Sequence, residues 1–213
     1  MSTWLLLAPE REDDPALTNS AWIARRTQDA APNAPIALTG RDAVRHRFEQ
    51  LVQSQHQIEG VAFFGHGASD RLFDADRMPN DPTGPTAIDT ANAALLKGRW
   101  VHAFACWSGE QLAARAVLNG ASIYVGYKKP LDIGWSAPPP AEAEFVEMVT
   151  YVTTALIKGV RDERSLLSQL SAAVDNFIAA LEATPKADSS PGWMWLHKLA
   201  QDLVDHLVVI VHP

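Results

Sequence analysis

Apolar positions along this chain fall into two kinds of run. Short, unbroken runs occur at Thr3 to Ala8 (TWLLLA), Ala34 to Thr39 (APIALT), Ile58 to Gly67 (IEGVAFFGHG), Arg99 to Ala105 (RWVHAFA) and Ala121 to Tyr127 (ASIYVGY). Runs without clean alternation suit strands buried on both faces of a parallel sheet. Helical spacing separates them. Thr18 to Asp29 predicts a first helix with Trp22 and Ile23 facing in. A second is expected to be capped by Thr39, with Asp42 closing a variant capping box and Val44, Phe48, Leu51 and Val52 as its apolar face. Asp89 to Gly98 (DTANAALLKG) reads as a short helix. Strand, helix, strand is a right-handed crossover, which sets consecutive strands parallel and often adjacent.

The last third changes character. Ala141 to Lys158 predicts a helix with Phe145, Met148, Val149, Val152 and Leu156 on one stripe. A second, from Asp162 or Arg164 to Ala183, carries Leu166, Leu170, Val174, Phe177 and Leu181. These stripes read as core or docking faces. Thr184 to Gly192 (TPKADSSPG) is a linker-like break. Trp193 to His206 predicts a last helix, and Leu207 to Val211 (LVVIV) a terminal strand at a sheet edge.

The chemistry concentrates where two strands end. Cys106, the single cysteine, stands at the end of the strand from Arg99. His66 stands between Gly65 and Gly67 at the end of the strand before it. Adjacent strands lie about 4.8 Å apart, so residues just past their carboxyl ends can touch. That edge is where open α/β sheets place their chemistry. Ser108 with Gln111 reads as a capping box, which would aim a helix N-terminus at the thiol and lower its pKa. Gly65 and Gly67 are expected to allow a sharp turn and a close approach. A thiol, an imidazole and nearby amides are the components of cysteine-nucleophile acyl transfer. Taken singly, each feature has a plainer reading: a lone cysteine is usually a small buried hydrophobe, and Gly-His-Gly a turn.

Length and composition narrow the picture. The 213 residues, 47% hydrophobic, are expected to form one α/β domain over 1–213, with 141–206 as its helical part. A net charge of −7 argues against nucleic acid as a partner. No run of about 20 apolar residues suggests a membrane span, and the amino-terminal residues carry no secretion signature. With one cysteine, a cytoplasmic location is expected. The histidines are scattered without His-x-x-His or Cys-x-x-Cys spacing, so neither metal nor cofactor is expected. Ala68 to Ile88, rich in Asp, Pro and Gly, reads as a long loop beside His66 that could line a cleft or close over it. Within it, Asp70 and Asp74 read as solvated carboxylates, with orientation of the imidazole as the alternative.

FFGHG and AFACWSG, an apolar strand ending in His-Gly and a second ending in Ala-Cys-x-x-Gly, resemble the caspase-like cysteine peptidases. NGASIYVGYKKPLDIGW is most similar to the bacterial CHAT-type subgroup. The resemblance spans Trp4 to Trp135. It implies a caspase-like three-layer sandwich with a mostly parallel sheet of about six strands flanked by helices. It also implies His66 as general base, Cys106 as nucleophile, and the Gly67 and Cys106 amides as oxyanion hole. By the same resemblance Val125 to Pro130 would form a wall against the extended substrate. Tyr127 and Lys128, with Asp70, are then candidate substrate contacts, although Lys128 reads equally as a surface lysine. Trp135 would cover the cleft. The sequence departs from better-known branches: Phe104 stands where metacaspase-like enzymes carry an aspartate, and Trp107-Ser108 interrupts the caspase pentapeptide. The expected function is a cysteine endopeptidase acting on protein substrates, with an activating protein partner, in bacterial defence or cell-death signalling. The alternative is a catalytically silent adaptor. An α/β-hydrolase-type thiol elbow would need a glycine where Phe104 stands.

Overall fold

A computed structural model describes residues 3–78, 81–134, 137–184 and 191–212. The chain runs β1 (Thr3–Ala8), α1 (Pro15–Ala30), β2 (Ile36–Thr39), α2 (Arg45–Ser54), β3 (Ile58–Phe64), β4 (Gly67–Ala68), β5 (Arg71–Phe73) and β6 (Thr86–Asp89). It continues through β7 (Trp100–Phe104), α3 (Gln111–Leu118), β8 (Ile123–Tyr127), α4 (Glu142–Ile157), α5 (Glu163–Ala183), α6 (Pro191–Asp205) and β9 (Leu207–Val211).

Six strands form one sheet in the order β2-β1-β3-β7-β8-β9. All its pairs are parallel except β8 with β9. Because side chains alternate along a strand, Trp4, Leu6 and Ala8 enter one core while Leu5 and Leu7 enter the other. The first core is closed by α1, α4, α5 and α6, the second by α2, α3 and the turn at Ala93–Leu96. The result is the mixed α/β, three-layer architecture expected from the sequence. The stripes of α4 and α5 are buried as their spacing requires. At Gly60 the indole of Trp100 lies across the backbone; a Cβ there would sit 1.8 Å from the ring, so the close packing of β3 on β7 depends on that missing side chain.

Four local expectations are corrected. Thr39 makes no capping bond; a short turn at Gly40–Asp42 intervenes and α2 starts after Val44. The segment from Ala68 to Ile88 is not one loop: β4, β5 and β6 pair antiparallel in a second, small sheet. Its strands are too short for a two-residue period to register in sequence. The residues after Asp89 form a single 3-10 turn rather than an α-helix, closed by Gly98 at φ +74°. Ser108 does not cap α3. Its buried hydroxyl lies 2.7 Å from the Ala105 carbonyl and accepts the Tyr127 amide at 3.2 Å, which ties the turn after β7 to β8. The linker-like break falls largely on 185–190, outside the described residues.

Candidate active site

β3 and β7 are parallel neighbours with Phe64 opposite Phe104. His66 and Cys106 each stand two residues beyond that pair, so both leave the same edge of the sheet. Pairing persists one residue further, the Gly65 amide donating to the Phe104 carbonyl at 3.3 Å. Gly67 then packs against the cysteine backbone: a Cβ on it would lie 2.7 Å from the Cys106 carbonyl oxygen. Close approach, not a left-handed turn, is why glycine is needed here; neither Gly65 nor Gly67 has positive φ. The hairpin β4–β5 anchors this corner, with the Phe73 amide donating to the His66 carbonyl at 3.0 Å. By antiparallel alternation the next residue, Gly67, is a non-hydrogen-bonded position, and its N–H turns away from β5.

The imidazole has a carboxylate partner that was not foreseen. His66 Nε2 lies 2.8 Å from Asp14 Oδ2. Asp14 belongs to the polar loop PEREDDP after β1, and β1 is the neighbour of β3. It is also the N-cap of α1: its Oδ1 accepts the Ala16 and Leu17 amides at 3.1 and 3.2 Å, with Pro15 in the first turn. Burial pushes the Asp14 carboxyl up. The His66 hydrogen bond and charge and the two capping amides outweigh it, holding the group below the usual carboxylate range. A local signal existed, since Asp before Pro marks a helix start. Both carboxylates proposed for this task lie elsewhere. Asp70 is bonded to Arg71 at 2.7 Å. Asp74 is buried and accepts the Asp76 amide. They line a separate cavity of about 480 Å³ with Arg45 and Asp89, so Asp70 is not in the cleft beside His66.

The cleft beside His66 is a cavity of about 640 Å³ between Asp13, Asp14 and Pro15 on one side and Pro130 to Gly134 on the other, with Arg77 and Lys198 at its rim. Cys106 does not line it. The segment after β8 crosses the thiol instead: the Leu131 amide donates to Sγ at 3.3 Å, and the Leu131 carbonyl lies 3.9 Å from it. Leu131 is buried against the α4–α5 core. Burial pushes the Cys106 thiol up; the Leu131 amide works against this without prevailing, and the Asp132 carboxylate adds to it. The expectation of a lowered pKa is therefore reversed. The physical reason is that α3 begins only at Gln111, with no side-chain cap, while Leu131 excludes water. Trp107, next to the thiol, has φ +59°, the only non-glycine residue with positive φ among those described. It is a strained position directly beside Cys106.

Tyr127 is buried in the core, its ring packed on His102 and Phe104. Its backbone pairs with β9 and Gly109, so neither presents itself to a substrate. The reason is that β9 adds to β8 and makes it an interior strand. Lys128 is exposed outside the cleft, its amide donating to the His206 carbonyl. Of the expected wall Val125 to Pro130, Pro130 alone lines the cleft, and Leu131 to Gly134, just downstream, continue it. Trp135 lies outside the described residues. Among the described residues no group of three or more His, Cys, Asp or Glu side chains is placed to hold a metal ion, and no helix is long and apolar enough to cross a membrane.

No family model and no curated protein matches the chain. Among solved structures, the chain is similar to the X-ray structure of a secreted C11 cysteine protease from Bacteroides thetaiotaomicron in complex with an irreversible peptide inhibitor. The TM-score is 0.48 at 11% identity, over 99% of this chain and 66% of that one. The chain thus spans just under two thirds of that protein's length.

Proposed function

We propose that the protein is a cysteine endopeptidase. The observation that carries this is the pairing of Phe64 with Phe104, which brings a histidine and the only cysteine to one sheet edge, with a cleft of peptide-accommodating size beside the histidine. In this reading His66 takes the Cys106 thiol proton as the sulfur–carbon bond forms to a substrate carbonyl. The carbonyl π pair moves to oxygen, and the Gly67 and Cys106 amides hold that oxyanion. Collapse expels the amine, which receives the proton from the imidazolium. Water then releases the acyl group by the reverse sequence. The substrate is a protein segment in extended form, laid against Pro130 to Gly134. Because Leu131 covers the sulfur, the enzyme is latent until that segment moves, and an activating protein partner is the natural trigger. A regulated bacterial protease of defence or cell-death signalling fits such latency.

The same contact favours a second reading, a caspase-like adaptor whose thiol is simply a packed core atom. Labelling separates the two. Purified protein is treated with peptidyl acyloxymethyl ketones bearing different P1 groups, with His66→Ala as control, and Cys106 adducts are read by mass. The peptidase reading expects an adduct, formed slowly through transient opening of the segment over the sulfur, that His66→Ala loses; alkylation by iodoacetamide with no ketone adduct marks the latent enzyme awaiting its trigger. Inertness to the ketones and to iodoacetamide alike would leave the adaptor.

A further inference from the structure

We propose that Asp14 is a positioning residue for His66, fixing the imidazole as the Nε2–H tautomer so that Nδ1 carries the lone pair that receives the Cys106 proton. The proposal rests on the peptidase reading for its catalytic consequence, and on geometry alone for the tautomer. A carboxylate can only accept. Asp14 Oδ2, 2.8 Å from Nε2, therefore requires a hydrogen on that nitrogen. In a neutral imidazole the other nitrogen is then the acceptor.

Asp14 is itself held on both oxygens. Oδ1 accepts the first free amides of α1 and Oδ2 faces His66. The carboxylate cannot rotate without uncapping a helix of 16 residues. Its side chain is 12% exposed and that of His66 28%, so water competes weakly for the bond. The loop that carries it is braced from both ends. Arg11 bonds Asp13 and donates to the Arg77 carbonyl at 2.8 Å, and Glu10 pairs with Arg25 on α1. Asp14 accepts a hydrogen bond throughout; the proton moves only between sulfur, Nδ1 and the leaving amine.

The test uses a variant that separates the helix cap from the charge. Asn is as good an N-cap as Asp. In Asp14→Asn the carbonyl oxygen keeps the amides of α1, and the NH₂ then faces Nε2. That nitrogen must accept, and the hydrogen moves to Nδ1, where the base is needed. Asp14→Ser, also a good cap but too short to reach His66, guards against an Asn rotamer that restores the bond. The expected results are only a small fall in melting temperature for either variant, since the helix cap is kept and the His66 bond alone is lost, 15N ring shifts of His66 marking Nε2–H in wild type and Nδ1–H in Asp14→Asn, and ketone labelling slowed by up to about 10⁴-fold, the scale of a wrong-tautomer histidine. An Nδ1–H tautomer in wild type, or labelling by Asp14→Asn at the wild-type rate while His66→Ala is silent, overturns the proposal. If His66→Ala labels as wild type does, the peptidase reading fails. The 15N shifts alone then decide whether Asp14 sets the tautomer.

Discussion

At the scale of single residues, the placement of His66 and Cys106 at neighbouring strand ends was legible in sequence and the Asp14 carboxylate was not. His66 and Cys106 each follow a buried apolar run and precede turn chemistry, which is information local to ten residues. Asp14 matters only because β1 lies between β2 and β3, so its relation to His66 spans 52 positions. Ser108 shows the opposite failure: a residue typical of helix caps whose hydroxyl is claimed by the Ala103 and Ala105 carbonyls and by the Tyr127 amide of β8, contacts that outweigh the capping preference. The state of the thiol follows from the same limit, because the residue that buries it lies 25 positions on. With the Cys106 pKa raised by burial, the thiolate fraction at neutral pH is below that of a free cysteine. Alkylation by iodoacetamide should therefore climb about tenfold per pH unit from pH 7 up through the ordinary thiol range without levelling. A plateau near neutral pH would show an ionised thiol and contradict the buried assignment.

At the scale of elements, the six strands of the large sheet follow from unbroken apolar runs and most of the helices from helical spacing, while the short pieces around the site do not. β4 and β5 have two and three residues, and each is defined by a partner rather than a pattern. The crossing segment at Pro130 to Gly134 has no regular structure at all, yet it decides whether the sulfur meets solvent. Its anchor is Leu131, the point where it enters the core beside α4 and α5. Trimming that anchor weakens the closed position of the segment more than it weakens the sheet, because local openings draw on fewer contacts than global unfolding. Leu131→Ala should accelerate Cys106 alkylation at fixed pH by roughly tenfold, since about 1.4 kcal/mol of lost anchoring is one decade in the opening equilibrium, with only a small fall in melting temperature. Equal alkylation rates in the two proteins would mean that this segment does not gate the thiol.

At the scale of the molecule, one histidine links the sheet to acid sensitivity. His102 lies in mid-strand on β7, fully buried, with Nδ1 2.6 Å from Thr153 Oγ1 on α4 and Nε2 3.4 Å from the Tyr127 hydroxyl. Burial depresses its pKa from 6.5 to about 3. The unfolded chain therefore binds a proton that the folded chain refuses between those two values. The stability this neutral histidine supports is complete above about pH 6.5 and is lost as pH falls toward 3, by up to about 1.4 kcal/mol per pH unit. Asp14 and Asp89 act lower: their pKa values are depressed below the usual carboxylate range, so their share is lost only as pH falls past about 4. Between pH 6 and 5 the histidine dominates, and its position between sheet and α4 means that charging it opposes the packing of the first core. Urea unfolding at pH 7, 6 and 5 should show the wild type losing stability more steeply than His102→Gln, which is weaker at pH 7 but lacks the proton. Parallel slopes for the two proteins would place the acid sensitivity elsewhere.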